Sequence, residues 1–152
     1  SEKAQMRSIV LKNSLGNPVP NNGACSHNEL VELSITVRTF KALTSAIIGF
    51  YVCDKNGNEL IGSNTGREKL MIDALPEGID LEVAFKFKLP LRPGSYSITV
   101  AGSENYESVT FDWIDNAVVF QILPSAGERP PHAMVSIPIE VSWRKSLDVG
   151  VV

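Results

Sequence analysis

The chain has 152 residues, of which 43% are hydrophobic and 20% charged, with a formal net charge of −3. That length suits one domain, residues 1–152, with a real core, and is too short for two comfortable ones. The acidic balance excludes the basic stripe that a duplex nucleic-acid binder needs, and it offers nothing to an anionic membrane surface.

Secretory and membrane signals are weak. No apolar run approaches the ~18 residues of a spanning helix, and the polar start Ser1-Glu2-Lys3 is not a signal peptide. A chain that starts without methionine is expected to be a fragment or a processed product. Cys25 and Cys53 are too few for a secreted disulfide scaffold. Two free thiols in a reducing compartment are the expectation, with one bridge as the alternative. No Asn-x-Ser/Thr acceptor occurs, in keeping with a non-secreted chain.

Period-two alternation runs through the chain, and no segment of helical length carries a 3.6-residue stripe. Residues Met6 to Lys12 read as a first strand, followed by a loop from Asn13 to Asn28. A long strand is expected from Glu29 to Phe40, with Leu33, Ile35 and Val37 inward and Glu32, Ser34, Thr36 and Arg38 outward. Ser45 to Cys53 and Glu59 to Gly62 flank Asp54-Lys55-Asn56-Gly57-Asn58. Asn56-Gly57 tolerates the positive φ angles of a tight hairpin, so these strands run antiparallel.

Asp80 to Leu89 alternates cleanly, Leu81, Val83, Phe85, Phe87 and Leu89 pointing one way and Glu82, Lys86 and Lys88 the other. Beyond the Leu91-Arg92-Pro93-Gly94 turn, Tyr96, Ile98 and Val100 alternate with Ser95, Ser97 and Thr99. Asn105 to Asn116 is irregular; its Asp112-Trp113-Ile114-Asp115-Asn116 reads as either one helical turn or a bulge. Ala117 to Leu123 is a further strand. The Pro124 to Pro131 loop cannot pair in a sheet, and Ala133 to Trp143 makes the last strand. About eight short strands with turns between them indicate an all-β, two-sheet antiparallel sandwich. The proline-rich loop reads either as an ordinary crossover or as a hinge that lets the final strand exchange between two copies.

Chemical motifs are few. Asp54-Lys55-Asn56-Gly57-Asn58 begins like a calcium loop, but the glycine and the terminal glutamate of such a loop are misplaced, and a hairpin explains it better. Cys25-Ser26-His27, with Cys53 or His132, lacks the paired spacing of a zinc site. Glu104, Glu107, Asp112 and Asp115 supply enough carboxylates for a glycosidase pair, although strand-edge acids are mostly solvated. No Gly-x-Ser-x-Gly elbow and no Gly-Lys-Ser/Thr phosphate loop occurs. The chain is therefore read as no enzyme, with no cofactor and no metal.

What remains is a water-facing sheet surface. With Ile48, Phe50 and Val52 inward, Ile47, Gly49 and Tyr51 face out, as do Ser95, Ser97 and Thr99. Tyr51 and Trp143 offer rings for the apolar face of a sugar. Arg38 and Arg144 offer forked hydrogen bonds to a charged or polyhydroxylated group. The expected carbohydrate-binding set is Arg38, Tyr51, Ser97, Thr99 and Trp143. Tyr51 and Trp143, each taken singly, read more readily as core or dimer contacts than as ligand platforms.

Three stretches together resemble one family: Gly49-Phe50-Tyr51-Val52 with Asp54-Lys55-Asn56-Gly57 and Gly62-Ser63-Asn64-Thr65, then Leu91-Arg92-Pro93-Gly94-Ser95-Tyr96-Ser97-Ile98, then Asp112-Trp113-Ile114-Asp115-Asn116-Ala117 leading into Val119-Phe120-Gln121-Ile122. Their order and spacing are similar to the C-terminal domain of the ATP-binding subunit of bacterial O-antigen ABC transporters, the Wzt C-terminal domain. The resemblance implies an immunoglobulin-like sandwich that binds carbohydrate without cleaving it. It implies recognition of the modified non-reducing end of a lipid-linked O-polysaccharide in the cytoplasm, which licenses export through a membrane-spanning transporter subunit. A homodimer with an exchanged C-terminal strand is also implied, as is a nucleotide-binding domain elsewhere in a longer polypeptide. No binding residue carries over by motif. The alternative function is a structural or protein-interaction sandwich without glycan binding.

Overall fold

The computed structural model describes residues 2–105 and 109–145. The expected carboxylate Glu107 lies outside these residues. Eight strands follow in order: β1 (Ala4–Lys12), β2 (Gly23–Ser26), β3 (Leu30–Thr39), β4 (Ile47–Asp54), β5 (Glu59–Asn64), β6 (Asp80–Lys88), β7 (Gly94–Glu104) and β8 (Val109–Leu123). No helix occurs among the described residues, so none is long and apolar enough to cross a membrane.

The strands form a small sheet, β1-β3-β6, and a large sheet, β2-β8-β7-β4-β5. Alternation explains the layering. Leu33, Ile35 and Val37 of β3 point inward and are essentially solvent-free, facing Ile48, Val52, Ile98 and Val100 of the large sheet in one core. On the outer side of the small sheet, Glu32 lies between Lys12 (3.9 Å) and Lys86 (3.8 Å), as the polar half of the alternation requires.

Every pairing is antiparallel except β2 with β8, which is parallel. This strand lies inside the stretch expected to be loop. Conversely, the expected strand from Ala133 to Trp143 does not form within the chain: Val135 bridges Leu91, and no strand follows among the described residues. The count of eight strands is thus reached with β2 in place of the tail.

The hairpin between β4 and β5 forms as expected, by a different turn. Gly57 has φ +83 and Asn56 is not in the left-handed region. Asp54 organises the turn: its carboxylate accepts the amides of Asn56 and Asn58, and its carbonyl accepts Gly57 N–H at 3.0 Å. Hydrogen bonds from Asn58, side chain first, hold the Asp54 carboxyl below its ordinary value.

The stretch Asp112 to Asn116 resolves as a bulge. Val118 pairs with Ile98 and Ile114 with Val100, so β8 advances four residues where β7 advances two, and Asn116 takes a φ of 52. A second irregularity at Gly102/Ser103 turns Phe111 into the core at 1% exposure, beside Asp112, whose carboxylate accepts the Met6 amide of β1 at 2.9 Å.

Both cysteines are free and buried. Burial, with the neighbouring Glu29 charge, pushes the Cys25 thiol up to about 11, and burial likewise raises Cys53. Such thiols stay protonated and inert at neutral pH. His27 Nδ1 donates to the Leu91 carbonyl at 2.7 Å, which anchors the loop after β2.

Glu104, at the end of β7, is 2% exposed. Its carboxylate accepts the Thr44 amide at 2.9 Å and the Lys3 ammonium at 2.9 Å, tying the chain start to the large sheet. The Thr44 amide, followed by Lys3, holds this carboxyl below its ordinary value of 4.5. A depressed carboxylate contributes stability that is present above the unfolded value and lost as pH falls through the folded one. Glu104→Gln should therefore cost about 1–3 kcal/mol at neutral pH and flatten the loss of stability on acidification. Urea unfolding from neutral pH down to about pH 3 reads this directly, and a wild-type pH profile in the variant would mean the contact contributes nothing.

Candidate functional site

The outer face of the large sheet is open to solvent, and its shape follows from small residues set between large ones. Register places Gly49 of β4 opposite Ala101 of β7, and Ala101 opposite Trp113 of β8. Tyr51 pairs with Thr99 on one side and Gly62 on the other. Gly49 and Ala101 make a low floor, while Tyr51 and Trp113 stand up from it as walls. The result is a hollow of about 200 Å³ with Ser63, Asn64, Ser103 and Thr110 contributing polar groups to its lining.

The two rings are open to solvent. Tyr51 is 36% exposed and Trp113 52% exposed, their centroids 6.3 Å apart and their planes tilted by 42°. Each is fixed from behind. A Cβ on Gly62 would lie 2.6 Å from Tyr51 Cδ1, so only glycine lets the Tyr51 ring lie across β5. The Trp113 indole Nε1 donates to Asp115 Oδ1 at 3.0 Å, and the Thr99 hydroxyl donates to the same oxygen at 3.0 Å. The bulge at Asn116 is what returns Asp115 over Thr99, so an irregularity in β8 sets the angle of the indole. Asn64 Oδ1 accepts the Arg67 amide at 2.8 Å and so orients its side chain at the rim.

The residues expected from sequence are divided by the fold. Tyr51 is a wall of the hollow; Thr99, its register partner, is buried outside the lining and supports Asp115. Ser97 shares their face but pairs with Cys53 and Val119, away from the lining. Arg38 sits on the small sheet, 3.4 Å from Asp80, and is not brought to this face. Trp143 stands in the tail at 88% exposure, outside the hollow. Trp113, Ser63 and Asn64 were not among the candidates, and Asp115 was one only as a member of a carboxylate pair. No composition signal pointed to Trp113: Phe111 and Trp113 are two apart and would share a face in a regular strand, yet the irregular pairing of β8 leaves one buried and the other exposed.

Acids elsewhere have architectural partners. Glu104 binds Lys3 and Thr44, Asp112 the Met6 amide, and Asp115 the indole and Thr99. Glu29 is caught between opposing effects: desolvation alone would raise its carboxyl, and the Ser14 and Ser26 amides outweigh it and leave the value lowered. Among the described residues, no three His, Cys, Asp or Glu side chains are grouped to hold a metal ion.

Fold and face together define a class: a two-sheet β-sandwich that presents an aromatic-walled hollow on one sheet. The family model for the Wzt C-terminal domain matches residues 1–137, and the chain belongs to that family. A crystal structure of the C-terminal domain of Wzt superposes with a TM-score of 0.82 at 13% identity, over 93% of this chain and 84% of that one. A Niemann-Pick type C2 protein from Japanese carpenter ant shares the sandwich more loosely, with a TM-score of 0.56 at 9% identity over 81% of this chain and 95% of that one. No curated protein matches the sequence.

Proposed function

We propose that this domain recognises, without cleaving it, the modified non-reducing end of a lipid-linked O-antigen polysaccharide, and so licenses its export by an ABC transporter. Membership of the Wzt C-terminal domain family supports the transporter context. The observation that carries the binding reading is the hollow between Tyr51 and Trp113. An indole and a phenol ring meet the C–H face of a pyranose, and surrounding hydroxyl and amide groups satisfy its oxygens. Selection is physical: an end group whose polar atoms are satisfied stays, and one that leaves them unpaired does not. No catalytic role is proposed, because the described carboxylates near the face are committed to structural hydrogen bonds. The full-length protein would carry an ATPase domain, contact a membrane-spanning subunit and act at the cytoplasmic side of the membrane, with no nucleic-acid partner.

Calorimetry with matched polysaccharides tests this reading. The end-modified polymer should bind at least about 10-fold more tightly than the same polymer without its modification, roughly 1.4 kcal/mol. Equal affinity for the two, or none for either, would refute end recognition, and binding to protein partners alone would favour a structural module.

The domain would also be a homodimer that exchanges its C-terminal segment. The root of the tail is fixed: Arg92 N–H donates to Met134 O at 2.9 Å and Ser136 N–H to Pro90 O at 2.6 Å. Beyond Ser136 the alternating side chains Ile137, Ile139, Val141 and Trp143 are 60%, 79%, 90% and 88% exposed. A strand-like apolar pattern left in water is a strand in want of a sheet. Deleting residues 137–152 should yield a folded monomer in sedimentation equilibrium; a truncated chain that still dimerises would place the interface elsewhere.

A further inference from the structure

The lining of the hollow bears on the chemistry of the end group, provided that the hollow binds glycan as proposed. We infer that it takes a terminal sugar whose modification is uncharged, such as an O-methyl, O-acyl or deoxy group, and that it discriminates against phosphate and carboxylate. Among the described residues, no lysine, arginine or histidine lines it. Among the described residues, the charged side chains bonded to its lining include Asp115, on the Trp113 indole, and Glu68, on the Ser63 hydroxyl, both negative. Arg67, in the adjoining turn, bonds Asn64 through its backbone amide. An anionic cap seated here would be stripped of water beside like charge with no forked cationic partner in the lining, and that is the costly arrangement for an anion.

The shape agrees with the charge. A volume of about 200 Å³ lies below the range of drug-sized pockets and suits one ring with a small substituent. With the ring on Trp113 and Tyr51, the far end of the floor is Ile47, Gly49 and Ala101, an apolar pad that fits a methyl or methylene group. A Cβ on Gly49 would come within 2.9 Å of Asn64 Cβ, so glycine holds this end open. Of the two arginines expected from sequence as cationic partners of a charged cap, Arg38 sits on the other sheet and Arg144 lies exposed in the tail, outside the lining.

The test uses matched neutral, O-methylated, 6-phosphorylated and uronic forms of glucose, galactose and mannose, observed by saturation-transfer NMR and by indole fluorescence in a Trp143→Phe background. Neutral or O-methylated forms should bind at least about 10-fold more tightly than their anionic counterparts. Ala101→Lys, which places a cation on the floor, should narrow or reverse that ratio. Anionic forms that bind as tightly as neutral ones, or a ratio unmoved by Ala101→Lys, would overturn the inference while leaving the glycan site standing. Absence of binding by every sugar would instead remove the glycan reading, and this inference with it.

Discussion

Replacing Trp113 by alanine should weaken polysaccharide binding by roughly 30-fold, about 2 kcal/mol, with the β-sheet circular dichroism unchanged. The size of the effect follows from what the indole does. It supplies one wall of the hollow, it is half exposed and so contributes little to folding, and its Nε1 hydrogen bond to Asp115 holds it at a fixed angle. A ring held in place loses little freedom on binding, which is the condition for an aromatic hot spot. Asp115→Asn keeps an acceptor and should cost less than Asp115→Ala, which frees both the indole and the Thr99 hydroxyl. If Trp113→Ala binds like wild type, the indole is not a platform. Calorimetry on the folded variant decides.

Gly102→Ala should be the most destabilising single methyl in the large sheet, at about 3 kcal/mol, with a fall in Tm of roughly 6–12 °C. A Cβ there would lie 2.3 Å from Phe111 Cζ, 2.5 Å from Cε1 and 3.1 Å from Met6 Cε. The Phe111 ring is buried to 1% exposure and cannot swing into solvent without opening the end of the sandwich. Relief therefore requires a smaller residue at 111. Gly102→Ala combined with Phe111→Leu should lose less than the sum of the two single changes, because the clash and the ring are removed together. Strict additivity in differential scanning calorimetry would mean that the two positions do not press on each other. The same device recurs on the outer face, where Tyr51 lies over Gly62, so glycine opposite an aromatic ring serves core packing at one position and shapes the hollow at the other.

Much of this fold was legible because period-two alternation is a direct record of which side of a strand is wet. Leu33, Ile35 and Val37 in β3, and Val83, Phe85 and Phe87 in β6, point where their spacing says they must. Alternation does not say which sheet a strand joins. That is why Arg38, correctly read as outward, faces away from Tyr51: each is outward, on opposite sheets. The short strand β2 was missed for a different reason. Its pairing with β8 is parallel and long-range, and Gly23 to Ser26 carry too few residues for any period to show. The tail was legible as a strand pattern and is unpaired in the single chain, since a pattern records a preference for a sheet and not the address of its partner.

The site was half legible. Gly49 and Tyr51 declared themselves through the hairpin, whereas Trp113 depended on where β8 breaks register. A bulge changes the face of every residue on one side of it, and neither Asn116 nor Phe111 announces the break by composition alone. The irregular character of Asp112 to Asn116 was visible; its consequence for the indole was not.

The most direct measurement is backbone amide NMR during titration of the isolated domain with the terminal oligosaccharide of an end-modified O-polysaccharide. Shifts should gather on Tyr51, Asn64, Ala101 and Trp113, along adjoining strands of the large sheet. Shifts gathered instead around Arg38 and Asp80 on the small sheet, or along the tail beyond Ser136, would contradict the account.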